Sequence, residues 1–340
     1  MVNNSVMDDQ LKRTQQGVLF AVLAYIMWGI APIYFKALGD VSPFEILCHR
    51  VIWSFIFLAV LLYFTKGWGL IKTTLKSKTK VLYLLVTSVT IGLNWLIFIW
   101  AISVDHMLDA SLGYYINPLF NVLLGMIFLN EQLRKMQWFA VALASMGVLV
   151  QLIVFGSVPI IAIGLAVTFG IYGLLRKKVN LDAFTGLFIE TLVLLPVALA
   201  YLFIFADTAT SHLTNNHWQL NALLISAGIV TTLPLLCFAS AAVRLRLATL
   251  GFIQYIGPSL MFLLAVFVYG EAFTSDKIIT FAFIWAALIL FTWDGLNNNA
   301  NNKKQAAALK QTAPLDVEVT TETLVQDINS ADKNANQQGK

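Results

Sequence analysis

Tyr115-Ile116-Asn117-Pro118 followed by Glu131, and Tyr255-Ile256-Gly257-Pro258 followed by Glu271, carry one pattern twice. The two Y-I-x-P runs lie 140 positions apart, and each glutamate follows its proline by 13. Working outward, Phe44 meets Phe184 at the same offset, and Trp28-Gly29-Ile30 meets Phe169-Gly170-Ile171 at 141. Several matches in order at a nearly constant offset read as an internal duplication.

Composition says what solvent the duplicated unit lives in. Of 340 residues 59% are hydrophobic and 12% charged, where a soluble domain carries about a quarter charged. A mean hydropathy of +0.76 agrees, and the chain reads as a polytopic membrane protein. Cys48 and Cys237 lie inside apolar segments, which speaks against a disulfide framework or a cysteine metal site. Residues 1–16 are polar and the apolar run from Gly17 to about Phe35 exceeds a signal-peptide core, so no cleavable leader is expected.

A helix needs roughly 20 apolar residues to cross a bilayer. That length gives ten spans, about 17–36, 44–64, 81–103, 108–129, 136–155, 157–175, 183–206, 220–241, 248–270 and 277–294. Long Leu/Ile/Val/Phe runs without period-2 alternation point to helices rather than a barrel. The expected fold is therefore an all-α integral membrane protein. It divides into an amino-terminal tail 1–16, five-helix repeats 17–155 and 156–295, and a disordered tail 296–340 whose composition turns to Asn, Gln, Lys, Ala and Thr.

Charge then orients the chain. Lys12 and Arg13, the loop holding Lys66, Lys72, Lys76, Lys78 and Lys80, then Arg134 and Lys135, Arg176 to Lys178, and Arg244 and Arg246 occupy every alternate connection. The other connections hold Lys36 and Lys277 beside Asp40, Asp105, Asp109, Asp207 and Asp276. Both termini are predicted cytoplasmic. Five spans per repeat is an odd number, so the second repeat enters from the opposite side, and the charges of equivalent loops swap accordingly. Inverted repeats of this kind are a mark of secondary transporters, with the site between the halves near the midplane.

Arg50 lies about six residues into span 2, where a buried arginine costs at least about 2.5–3.5 kcal/mol on insertion scales. Its repeat equivalent is Glu190. The two could form a structural salt bridge between the halves, or face one cavity in which Arg50 takes an anionic group and a desolvated Glu190 carries a proton. His49, turned about 100° from Arg50 around the helix, reads as packed and neutral, or else as an acid–base partner. Glu45, near the outer end of the span, reads as solvated.

Tyr115, Pro118, Tyr255 and Pro258 fall within spans 4 and 9, where proline frees a carbonyl and kinks the helix, either to line a cavity or to pack. Asn94 and Gln254, with Tyr25, Trp28, Phe98, Tyr114, Asn121, Thr231 and Pro234, could complete a wall of rings and hydrogen-bonding groups. Glu131 and Glu271 read as caps on the positive end of the next helix. His212 and His217 match no compact metal motif. The absence of P-loop, H-E-x-x-H and G-x-S-x-G patterns removes support for ATP-driven transport and the common hydrolase mechanisms.

The ten spans, the duplicated unit, and above all Trp28-Gly29 through Val41-Ser42-Pro43-Phe44-Glu45-Ile46-Leu47-Cys48-His49-Arg50 resemble the drug/metabolite transporter superfamily and, within it, EamA-type permeases of the RarD subfamily. The resemblance covers about residues 17–295. It implies a bacterial inner-membrane permease, a cavity between two four-helix halves, and spans 5 and 10 at the periphery. It also carries the label of chloramphenicol sensitivity or resistance.

The resulting expectation is a secondary transporter, exporting a small amphipathic metabolite or drug-like compound by alternating access. The alternatives are an intramembrane enzyme using His49 and Glu190, and a non-transporting scaffold or sensor. No cofactor, metal or nucleic acid is expected. The implied partners are the lipid bilayer, a small-molecule substrate and coupled protons, and no pattern assigns an oligomeric state.

Overall fold

The computed structural model describes residues 2–312 except 40, 104, 105, 207, 209, 211, 212, 215 and 271–274. Asp40, Asp105, Asp207, His212 and Glu271 thus lie outside the described residues. Every element is helical: α1 Val2–Ala37, α2 Pro43–Phe64, α3 Trp68–Leu75, α4 Lys78–Ser103, α5 Met107–Leu129, α6 Lys135–Phe155, α7 Ile160–Val179, α8 Ala183–Ala200, α9 Trp218–Ala242, α10 Leu247–Gln254, α11 Ile256–Phe267 and α12 Ser275–Thr312. Among the described residues ten stretches are long and apolar enough to cross a membrane, α10 and α11 together making one of them. The protein is a multi-pass membrane protein.

Local chemistry accounts for the ends. Asn130 and Asn180 stop α5 and α7 in the left-handed conformation, and Gly156 stops α6 the same way, since these residues tolerate positive φ. Asp182 opens α8 by accepting from Thr185 N–H at 3.1 Å. Between α10 and α11 the chain breaks at Tyr255, because Pro258 has no N–H to give the carbonyl four residues earlier, that of Gln254. Pro118 leaves α5 continuous.

Long-range contacts mark two sides of the bundle. On the amino-terminal side Arg13 donates to the Val243 carbonyl at 3.2 Å, Arg246 donates to the Gln132 carbonyl, and Lys177 donates to the Leu245 carbonyl. At the other side Lys36 sits 3.9 Å over the Tyr269 ring and Glu45 accepts from Thr208 and Thr210.

Four details differ from the sequence reading. The lysine-rich connection after α2 contains the short helix α3, which buries Ile71 and Thr74. The polar amino-terminal stretch is helical from Val2. The tail expected to lack structure from 296 is helical to Thr312, through Ala306, Ala307, Ala308, Leu309 and Lys310, all strong helix formers; residues 313–340 lie outside the described residues. Arg176, expected in a loop, is inside α7 and fully buried.

The core of the body ending at Leu290 joins α1, α2, α3, α4, α5, α7, α8, α9 and α10. Its outward faces show Phe139, Ile153 and Val197 largely exposed, the surface of a protein whose solvent is hydrocarbon. α6 meets α12 where Gln151 donates to Thr280 at 2.8 Å and where Gly147 lets the Thr280 carbonyl approach.

Candidate functional site

Arg50, half-buried, and Glu190, buried, are held in different ways. Arg50 of α2 donates through Nε to the Thr231 hydroxyl of α9 at 2.8 Å. Its guanidinium lies 5.0 Å from the Trp95 ring and 5.7 Å from the Phe35 ring. Facing the quadrupole of these rings offsets part of the desolvation that hydrocarbon imposes, about 0.5–2 kcal/mol per contact.

Glu190 of α8 is 2% exposed and does not pair with Arg50. Its Oε1 accepts from Thr87 of α4 at 2.7 Å, its Oε2 accepts from Tyr172 of α7 at 3.1 Å, and its ionic partner is Arg176, Nη1 to Oε1 3.5 Å. Spacing explains the arrangement. Tyr172 and Arg176 are four apart on one face of α7, and Gly186 and Glu190 are four apart on one face of α8. A Cβ at Gly186 would stand 1.7 Å from Arg176 Nη1, so the guanidinium occupies the space that glycine leaves.

Beside Glu190 lies a cavity lined by Ser54, Trp95, Tyr172, Glu190, Thr191, Thr231 and Thr232 among leucines and an isoleucine. Its walls come from α2 and α4 and from α7, α8 and α9, hence from both sequence halves. The volume, about 10 Å³, is the lower limit for a single water. α2 and α9 meet tightly beside it: Ser54 donates to the Gly228 carbonyl at 3.2 Å, and a Cβ on Gly228 would fall 2.4 Å from the Trp53 carbonyl carbon.

The EamA-like transporter family matches residues 15–153 and again residues 157–293. The chain belongs to the EamA-like transporter family. An uncharacterized transporter of Vibrio cholerae is 67% identical over 282 residues, 83% of this chain and 93% of the relative. Protein RarD of Escherichia coli is 59% identical over 293 residues, 86% and 99% of the two chains. A chloramphenicol-sensitive protein RarD of Pseudomonas aeruginosa is 32% identical over 283 residues, 82% and 94% of the two chains. One crystal structure shares the fold, with a TM-score of 0.63 at 18% identity, covering 81% of this chain and 96% of its own. The chain is therefore an EamA-type permease of the RarD subfamily.

Other residues singled out in this EamA-family sequence lie apart from the cavity. Gln254 accepts from Asn121 at 3.0 Å and from Tyr25 at 3.5 Å, and the Tyr255 hydroxyl donates to the Tyr115 carbonyl at 3.2 Å, in the turn before Pro118. Pro258 is buried at the start of α11. These groups stitch α1, α5 and α10 together. Asn94 bridges α4 to α7, donating to the Leu165 carbonyl at 3.0 Å and to Thr168 at 2.9 Å. An aromatic chain links the two regions, since Tyr25 meets Phe238 edge-on and Phe238 stacks on Tyr172.

His49 is packed: Nδ1 accepts from Trp53 Nε1 at 3.2 Å, and Nε2 is buried with no partner. Among the described residues no hydrogen bond joins it to Glu190. Glu45, expected in solvent, is 0% exposed and accepts from Thr208 and Thr210; a carboxylate so satisfied stays buried. Glu131 caps a helix, but not the next one. It accepts from the backbone N–H of Leu247 at 2.7 Å and of Ala248 at 3.0 Å, across to α10, while Gln137 serves the start of α6 by accepting from Arg134 N–H.

Sequence reasoning missed Arg176, Tyr172, Thr87 and Trp95. The sequence offered the i, i+4 spacings of Tyr172 with Arg176 and of Gly186 with Glu190, but not that these two pairs meet.

Proposed function

We propose that the protein is a secondary transporter that exports a small amphipathic metabolite or drug-like compound across the bacterial inner membrane by alternating access. The supporting observation is the small cavity walled by both sequence halves, lined by the buried Glu190 and by Thr231 and Trp95, which hold the half-buried Arg50. Membrane-interior charges are expensive and mark transport pathways. Alternating access would widen this cavity toward one side at a time by helix movement. The double family match at 15–153 and 157–293 runs alongside the proposed five-helix repeats 17–155 and 156–295, and their inverted arrangement would exchange the open side. The alternating basic connections support cytoplasmic termini.

Arg50 orients a polar or anionic group and Glu190 carries the ion-coupled charge in this reading. The test uses the full chain in sealed proteoliposomes with a panel of amino acids, organic acids, nucleotides and amphenicols. Flux of an unaltered compound, lost in Arg50→Ala while the variant stays folded, is expected. Chemical conversion without flux would favour an enzyme using His49 and Glu190, and wild-type flux in Arg50→Ala would refute the role given to Arg50.

A further inference from the structure

Arg176 is the least satisfied charge in the described interior. Its side chain is 0% exposed, its Nη1 reaches Glu190 at 3.5 Å, and both Nε and Nη2 are buried without a hydrogen-bond partner. Glu190 is not short in the same way, because the Thr87 and Tyr172 hydroxyls already serve one oxygen each. The cluster therefore has donors to spare and no acceptor for them. Leaving a buried donor unmade costs about 1–3 kcal/mol, more when the group is charged.

Position matters as much as the deficit. Nε and Nη2 form one straight edge of the planar guanidinium, the edge that grips a carboxylate or phosphate through two parallel N–H···O bonds. Tyr172 and Glu190, the side chains touching or flanking Arg176, line the cavity. At the cavity's other end, Thr231 and Trp95, which hold Arg50, line it too. Arg176 lies near the end of α7 that shares a side with the amino terminus, since its neighbour Lys177 donates to the Leu245 carbonyl there. Arg50 belongs to the opposite end, one turn beyond Glu45 and its Thr208 and Thr210 partners. One cavity is thus bracketed by two arginines, each a single side chain behind the wall.

We propose that the Nε–Nη2 edge of Arg176 is an anion seat, which takes a carboxylate or phosphate group of the transported compound at the amino-terminal-side end of the cavity. Glu190 is the resident anion that keeps Arg176 in place when the seat is closed. When the incoming group arrives, the Nε–Nη2 edge gains two bonds while Nη1 keeps its contact with Glu190, so the free donors are satisfied without displacing the carboxylate. Arg50 offers the same chemistry at the far end. This rests on the transport reading for its meaning but makes a binding claim of its own.

The probes are benzoate and inorganic phosphate, with benzamide as the neutral counterpart of benzoate, titrated against thermal unfolding of the detergent-purified full chain. Saturable stabilisation by benzoate or by phosphate, absent with benzamide, is expected, and the anion that binds tells carboxylate from phosphate. Arg176→Lys keeps the charge and loses the edge, so affinity should fall about tenfold or more. Glu190→Gln removes the competing anion and should raise affinity about tenfold. The seat is overturned if neither anion stabilises the wild-type chain, or if Arg176→Lys binds as tightly as wild type. Should Arg176→Lys fail to fold, unchanged or weaker binding in Glu190→Gln overturns it instead. Flux of the bound anion in vesicles separates the two readings. Binding through Arg176 without any flux keeps the seat and fails transport, whereas flux with undiminished affinity in Arg176→Lys keeps transport and fails the seat.

Discussion

Gly186→Ala tests the interior charge cluster with one methyl group. The new Cβ would stand 1.7 Å from Arg176 Nη1, 2.7 Å from Cζ and 2.9 Å from Nη2. All three atoms belong to the far end of a flexible side chain, so the helices need not part; the guanidinium must leave instead. What is lost is its contact with Glu190. Removing one partner of a buried ion pair costs about 3–5 kcal/mol, and displacing it sits at the low end of that range because Thr87 and Tyr172 still serve the carboxylate. Against this stands the helix preference for Ala over Gly, about 1 kcal/mol. The expected net is a destabilisation of about 2 kcal/mol, read from denaturant or thermal unfolding in detergent followed by circular dichroism. The sign is the informative part. In an Arg176→Met background no guanidinium remains to be expelled, so the same Gly186→Ala change should become neutral or stabilising by up to about 1 kcal/mol. Equal destabilisation in both backgrounds would show that the methyl strikes something other than the guanidinium, and the cluster argument would fail.

Thr231→Val keeps the side-chain shape but withdraws the oxygen that Arg50 Nε reaches at 2.8 Å. A lost hydrogen bond to a charged group predicts a stability loss of about 1.5–3 kcal/mol in the same unfolding assay, and an unchanged midpoint would mean that the bond to Thr231 does not hold Arg50. Glu131→Ala strips the acceptor from the first N–H groups of α10, with an expected cost of about 1–2 kcal/mol. Glu131→Gln, retaining one carbonyl oxygen, should lose less; a reversed order between the two would count against the capping role.

How far the sequence carried each conclusion follows from what kind of energy was in play. Hydrocarbon solvent enforces helices wherever about 20 apolar residues run together, and so the ten spans were legible from composition and length. Boundaries were less so. The span ending near residue 175 continues to Val179, because hydropathy falls at Arg176 although the helix does not. Pro258 coincides with a break, at Tyr255, while the matching Pro118 does not break α5. Proline frees a carbonyl in both cases, and whether the backbone parts there depends on neighbours that the local sequence does not name.

The site was legible in its parts and not in its pairing. Arg50 and Glu190 stand out because a lone charge within an apolar run has to be satisfied by something, and both do reach the cavity region, Arg50 through Thr231 and Trp95, Glu190 directly. Repeat symmetry suggested each as the other's partner, but Glu190 takes Arg176, fourteen residues away along the chain. Arg176 heads the run Arg176-Lys177-Lys178, and a run of cations at a span end ordinarily belongs to the interface. What separates it from its neighbours is geometry: Lys178 reaches outward to Phe128 and Lys177 to the end of α9, whereas Arg176 points onto the one glycine of α8. The glycine was in plain view four residues before Glu190. Its consequence requires knowing that the Arg176 side chain reaches across from α7 to the Gly186 face of α8, and that is a tertiary fact, which periodicity along either helix alone does not contain.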